Sequence, residues 1–195
     1  MRPADFPTVP RPLGCFAVVL ACALAPLAGT AKAATGTASL LAPSGACGPA
    51  ADSEGVDLAH AETAMLCLTN YARRRSGLRP LALSRRLERV AQAKLATDIA
   101  CNEFSHTPCN VSFTKTFAPY LADAGAYDIG ENIFWTAGGG TPRQTMIAWL
   151  NSPDHRANIL NPAFRDLGVG YLPGQAFQGS TGATLWSQEF GVRSN

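Results

Sequence analysis

Four cysteines follow an apolar leader in this chain, and together they limit it to folds that can be laced outside a reducing cytoplasm. The leader is the segment 1–33. Arg2 and Arg11 precede an apolar run from Leu13 to Ala28, and Ala31-Lys32-Ala33 places small residues at A-x-A positions. This is the pattern of a secretory signal peptide, with cleavage expected after Ala33. Pro26 interrupts the run, which is shorter than the roughly 20 apolar residues of a spanning helix, so no stable membrane insertion is expected after cleavage. A lipoprotein reading, with Val19-Leu20-Ala21 before Cys22, leaves a very short apolar core upstream. Cys47, Cys67, Cys101 and Cys109 then form an even set that an oxidising compartment would pair. Three connectivities are open. Short loop length favours Cys101 with Cys109 and Cys47 with Cys67, and the first pair would staple the loop that carries His106. A structural zinc site would show two close C-x(2 to 4)-C pairs, and the sequence has none.

The chain has 195 residues, 47% of them hydrophobic, enough for one domain with a substantial core. Residues 34–58 are rich in Ala, Gly, Ser, Thr and Pro without a sustained apolar period, and read as a flexible lead-in. The domain is expected over 59–192. Met65, Leu68 and Tyr71 recur at helical spacing between Ala59 and Ser76, with Gly77 as a stop. Ser84 is placed to cap a second helix carrying Leu87, Val90, Ala91, Leu95 and Ile99. A helix is expected over 114–124, and another from Thr141 to Leu150 with Thr141 as N-cap and Pro142 at N1. A short helical turn opens at Ser152. Strands are expected at 132–136, 167–172 and 183–192, the last two forming a hairpin with a loose Gly-rich tip. This order predicts an α+β fold with a small antiparallel sheet covered by helices.

The leader carries three of the 16 basic and one of the 14 acidic residues, which leaves thirteen of each. Seven arginines nevertheless fall within 73–89: Arg73, Arg74, Arg75, Arg79, Arg85, Arg86 and Arg89. The bland reading is a pair of solvated helix ends; the functional one is a patch for an anionic envelope lipid or polymer. Nucleic acid is not expected, because no aromatic residues interleave with these arginines and the leader directs export.

Three side chains stand out chemically. His106 lies in Phe104-Ser105-His106-Thr107-Pro108, inside the cysteine loop. His155 lies near the start of a helical turn, where backbone N–H groups disfavour a charged imidazole. A neutral ring is what metal binding or general-base chemistry needs. Glu131 enters a buried strand, where a carboxylate must find a partner or lose its charge, and a histidine is the obvious one. Spacing alone does not bring the three together. His60, at a helix start among alanines, reads as a surface residue. A nucleophile elbow, a P-loop and H-E-x-x-H are all absent.

Phe104-Ser105-His106, Gly130-Glu131-Asn132-Ile133, Trp149-x-x-Ser152-x-x-His155-Arg156-x-Asn158-Ile159-Leu160, Leu167-Gly168-Val169-Gly170 and Trp186-Ser187-Gln188 occur in order. Together they resemble the bacterial branch of the CAP superfamily, named for cysteine-rich secretory, antigen 5 and pathogenesis-related proteins. The resemblance covers about 59–192. It implies an α-β-α sandwich with a central antiparallel sheet and a cleft of two histidines and two glutamates, matched by His106, Glu131 and His155. The second glutamate looks absent, because Ser152 stands at its position. No cofactor is required, although His106 and His155 with one carboxylate would suit a divalent ion such as zinc. The resemblance implies a secreted, non-enzymatic module that holds a lipid-like or envelope-derived ligand. A metal- or histidine-assisted hydrolase and a purely structural polar network are the alternatives.

Overall fold

A computed structural model describes residues 36–194; the expected signal peptide and its cleavage site lie outside them. In chain order the elements are α1 (Thr37–Leu40), α2 (Leu58–Arg75), β1 (Ala82–Leu83), α3 (Arg85–Cys101), α4 (Phe113–Thr116), α5 (Ala118–Leu121), β2 (Ala126–Thr136), α6 (Pro142–Asn151), α7 (Pro153–Ile159), β3 (Asp166–Phe177) and β4 (Ser180–Ser194). The sheet order is β1-β3-β4-β2. All neighbours are antiparallel except the short β1, which runs parallel to β3.

Alternation along β4 explains the layers, since successive side chains leave opposite faces of a strand. Trp186 and Phe190 join Met65 and Leu68 of α2 and Trp149 of α6 in the main core, and Gln188 donates to Thr69 of α2 at 2.8 Å. On the other face Leu185 packs with Leu95 of α3, and Ser187 Oγ donates to the Ala91 carbonyl. The result is an α-β-α sandwich, with α2, α6 and α7 on one side and α3 to α5 on the other.

Two glycines of β3 set the height of α3. A Cβ at Gly168 would fall onto the Leu87 backbone, and one at Gly170 onto Ala91 O at 2.8 Å. Arg73 ties the other layer together from inside the core. Its guanidinium donates to the carbonyls of Ile159 and Asn161 at 2.8 and 2.9 Å, and its Nε to Arg79 O.

The caps form where the sequence places them. Ser84 accepts from Leu87 N, and Thr141 forms a full capping box with Gln144. Other boundaries differ from expectation. Residues 36–58 are not a flexible lead-in: Leu40, Ala42 and Ala51 are buried in the main core, and Cys47 is bonded to Cys67. Arg143 of α6 clamps the segment, bonding Ala42 O, Pro43 O and the Asp52 carboxylate. Small residues hid this packing, because its apolar contacts have no regular period. The helix expected over 114–124 is split into α4 and α5 by Phe117, which fills the core beside Pro119 in the next turn. β2 begins six residues earlier than expected. The hairpin tip is tight rather than loose: Gln178 and Gly179 both have positive φ, 51° and 81°, the geometry of a two-residue type I′ turn. Asn102 holds it through the Gln178 backbone N–H at 2.8 Å.

The seat of α3 gives a direct test. Gly168→Ala is expected to force helix and sheet apart and to cost about 3 kcal/mol. Urea denaturation measures this, and an unchanged midpoint would contradict it.

Candidate functional site

The loop that carries His106 is fixed at both ends. α3 terminates at Asn102 in the left-handed conformation (φ 47°), and the Cys101–Cys109 disulfide closes the loop eight residues on. Lys94 holds the middle. Its ammonium group, fully buried, donates to both Asp98 oxygens and to the Ser105 carbonyl, each at 2.7 Å. His106 is thereby set over β2, where its Nδ1 bonds Glu131 Oε1. The His106 side chain is 55% exposed and that of Glu131 only 1%. The structure therefore joins two of the three residues that sequence alone left apart.

α7 supplies the opposite wall. Asn158 Nδ2 donates to Glu131 O and to Asn132 Oδ1, both at 2.9 Å, and Asn132 Nδ2 donates to His155 O at 3.1 Å. The network continues from Asn132 to Gln188 and on to Thr69. His155 is half-buried, and its imidazole makes no hydrogen bond among the described residues. Ser152 lies at the junction of α6 and α7, where its backbone N–H and C=O complete both helices, and it does not line the groove. The groove itself has a volume of about 370 Å³ and is lined by His106, Phe113, Gly130, Glu131 and Asn158.

Sequence reasoning missed Phe113 and Asn158 as lining residues. Asn158 was legible, three residues after His155 and so on the same helical face. It also missed Glu189. Although Ser152 occupies the expected place of a second glutamate, β4 supplies a buried carboxyl group of its own, paired in register with Glu131. Both Glu189 oxygens and Glu131 Oε2 have no hydrogen-bond donor among the described residues, an environment that favours the protonated form of Glu189. Burial raises the Glu189 carboxyl far above the usual range, and the charge of Glu131 adds to this. Burial also lifts Asp98 to about 6, against the opposing pull of Lys94.

The two histidines are pushed apart. The hydrogen bond to Glu131 raises His106 above the ordinary 6.5, with burial opposing. Burial lowers His155, and the nearby His106 charge lowers it further. The bond from Nδ1 of His106 to Glu131 leaves Nε2 as the free ring nitrogen, and a carboxylate on Nδ1 is also how a metal-binding histidine is oriented, so what decides is how many donors converge. Among the described residues no three His, Cys, Asp or Glu side chains are arranged to hold a metal ion.

Sandwich and groove together define a protein with a histidine-lined groove at the edge of a three-layer fold. The chain belongs to the cysteine-rich secretory protein (CAP) family, whose model matches residues 66–190. It is 35% identical over 124 residues to the uncharacterized protein YkwD of Bacillus subtilis (strain 168), covering 63% of this chain and 44% of that protein. The chain thus spans less than half the length of this relative. Among solved structures, it resembles an extracellular SCP-domain protein of Bacillus anthracis str. Ames, with a TM-score of 0.54 and 24% identity. That match covers 73% of this chain and 45% of the other. An outer surface protein of Borrelia burgdorferi matches with a TM-score of 0.60 and 18% identity, over 73% of this chain and 98% of the other. At these identities the two structures share the fold. Among the described residues no helix is long and apolar enough to cross a membrane.

NMR titration of the ring protons is expected to give a midpoint above 6.5 for His106 and below it for His155. Glu131→Gln should bring His106 down. The sign for stability follows from the raised value: the charged pair contributes fully below the unfolded histidine pKa of about 6.5, and the contribution is lost as pH rises through the folded one. Coincident midpoints for the two rings would contradict this geometry.

Proposed function

We propose that the chain acts outside the cytoplasm as a non-enzymatic binding module, whose groove at β2 holds a small lipid-like or envelope-derived molecule. The observation that carries this is the division of labour at His106. Its Nδ1 is committed to Glu131, which fixes the ring and favours its charged form, so the other ring nitrogen is a positioned donor for an anionic or carbonyl group. The Phe113 ring, set edge-on to His106 with centroids 6.5 Å apart, adds apolar wall. None of the five lining residues is Ser, Cys, Thr or Lys, and Glu131 is engaged by His106 and Glu189. Nothing there is placed as a nucleophile. Two disulfides and the extracellular and outer-surface descriptions of the structural neighbours support export.

One feature favours a hydrolase as the second reading: His155 stands near enough to His106, just outside the groove lining, for the His106 charge to lower it while Glu131 raises His106, and an acid and a base need such opposed shifts.

Extraction and mass spectrometry of the exported protein separate the two. A bound molecule is expected with the wild type, retained about tenfold or more weakly after His106→Ala, the scale of a lost charged hydrogen bond. Finding no molecule under several lipid supplements, together with ester or casein turnover that His106→Ala and His155→Ala each abolish, would establish the hydrolase instead. Because the donor set is short of a zinc site, a chelator is expected to leave ligand retention unchanged; loss of ligand on chelation would refute that.

A further inference from the structure

Around the β1 edge runs an arc of seven arginines, four of which the fold does not use. Between Arg73 and Arg89 stand seven arginines and one carboxylate, Glu88. Downstream of the leader basic and acidic residues balance, so this excess is matched by an acidic remainder: the charge is segregated. Three of the seven have structural partners. Arg73 is buried on carbonyl groups, Arg86 donates to Ala122 O at 3.2 Å, and Arg85 meets Glu88 at 3.4 Å while 88% exposed. Arg74, Arg75, Arg79 and Arg89 are exposed, and their side chains make no hydrogen bond or ion pair among the described residues.

Helix stability explains only half of the arc. Arginines in the last turn of α2 complement the negative end of its dipole, but Arg85 and Arg86 open α3, the end that disfavours cations, and Arg89 follows in its second turn. The arc is also long. The connection returns beside α2: Arg73 Nε donates to Arg79 O, Leu81 exchanges two hydrogen bonds with Asn70, and Arg85 acts on the charge of Glu62. From Arg73 to Glu62 is about eleven residues of helix, or about 16 Å. One small anion cannot span that; an extended anionic surface can. Within the arc Leu83 is 46% exposed, on a two-residue strand at the free edge of the sheet.

We propose that the β1 edge is a docking surface for an anionic phospholipid bilayer, with the unpaired arginines on headgroup phosphates and Leu83 at the acyl boundary. An anionic polysaccharide would engage the arginines but leave Leu83 without a role. β1 and β2 are opposite edges of the sheet, three inter-strand spacings or about 14 Å apart. A bilayer at one edge leaves the groove at the other uncovered, so the proposal stands whatever the groove holds.

Cosedimentation of the exported chain with vesicles tests it, using phosphatidylcholine alone and phosphatidylcholine mixed with phosphatidylglycerol. Binding is expected for the mixed vesicles only, weakening as salt shortens the reach of the arginine field. Each arginine near an anionic surface contributes about fivefold, so Arg75→Gln, Arg79→Gln and Arg89→Gln together lower affinity roughly a hundredfold. Leu83→Ser weakens binding further. These side chains are exposed, so Tm and ligand retention in the groove should not change. The proposal is overturned if mixed vesicles are not bound, or if binding ignores both salt and the arginine substitutions. Retention of the wild type on an anionic polysaccharide with vesicles left unbound overturns it too, in favour of a polymer.

Discussion

Because positions 168 and 170 carry no Cβ, the stretch of α3 from Leu87 to Ala91 rests directly on β3, closer than side chains would allow. The rest of the site inherits its position from that contact. Further along the helix, α3 delivers Lys94 and Asp98 as a fully buried ion pair, and Lys94 spends its remaining donor on Ser105 O. The disulfide then bends the chain back, and His106 arrives above Glu131. A helix seated higher would carry Lys94 away from Ser105 and His106 away from the strand. Backbone packing thus fixes a polar geometry some way from it.

β2 is an edge strand, and this makes one strand serve two layers. Glu131 turns its side chain toward the α3 layer, to meet His106 and Glu189, while its carbonyl accepts from Asn158 of α7. Its neighbour Asn132 turns the other way, to Gln188 and the backbone of His155. Two acids in register would repel if both were charged. With Glu189 neutral, the strand pair tolerates them, and Glu131 is directed at the imidazole.

How much of this was legible depended on whether a signal was periodic or local. Ser84 and Thr141 announced their helices because capping needs a particular side chain at a particular place. His106, Glu131 and His155 were legible as polar residues in demanding contexts, yet their meeting was not, since it depends on strand order and the seat of α3. Glu189 lies one residue beyond Trp186-Ser187-Gln188, and only the β2–β4 register shows that it faces Glu131. The 36–58 segment misled for a different reason. Leu40, Ala42 and Ala51 enter the main core at irregular spacing, and Arg143 clamps backbone carbonyls, neither of which leaves a periodic trace in the sequence.

That clamp would also set a limit on any processing of the expected leader. Arg143 grips the chain at Ala42, Pro43 and Asp52, and Leu40 plugs the core immediately before them. A cut anywhere upstream of Thr37 leaves every one of these contacts in place. A cut past Leu40 removes the plug, leaving an apolar notch above α6. Removal of the expected leader would therefore be loosely constrained by these contacts upstream of α1 and sharply constrained past Leu40.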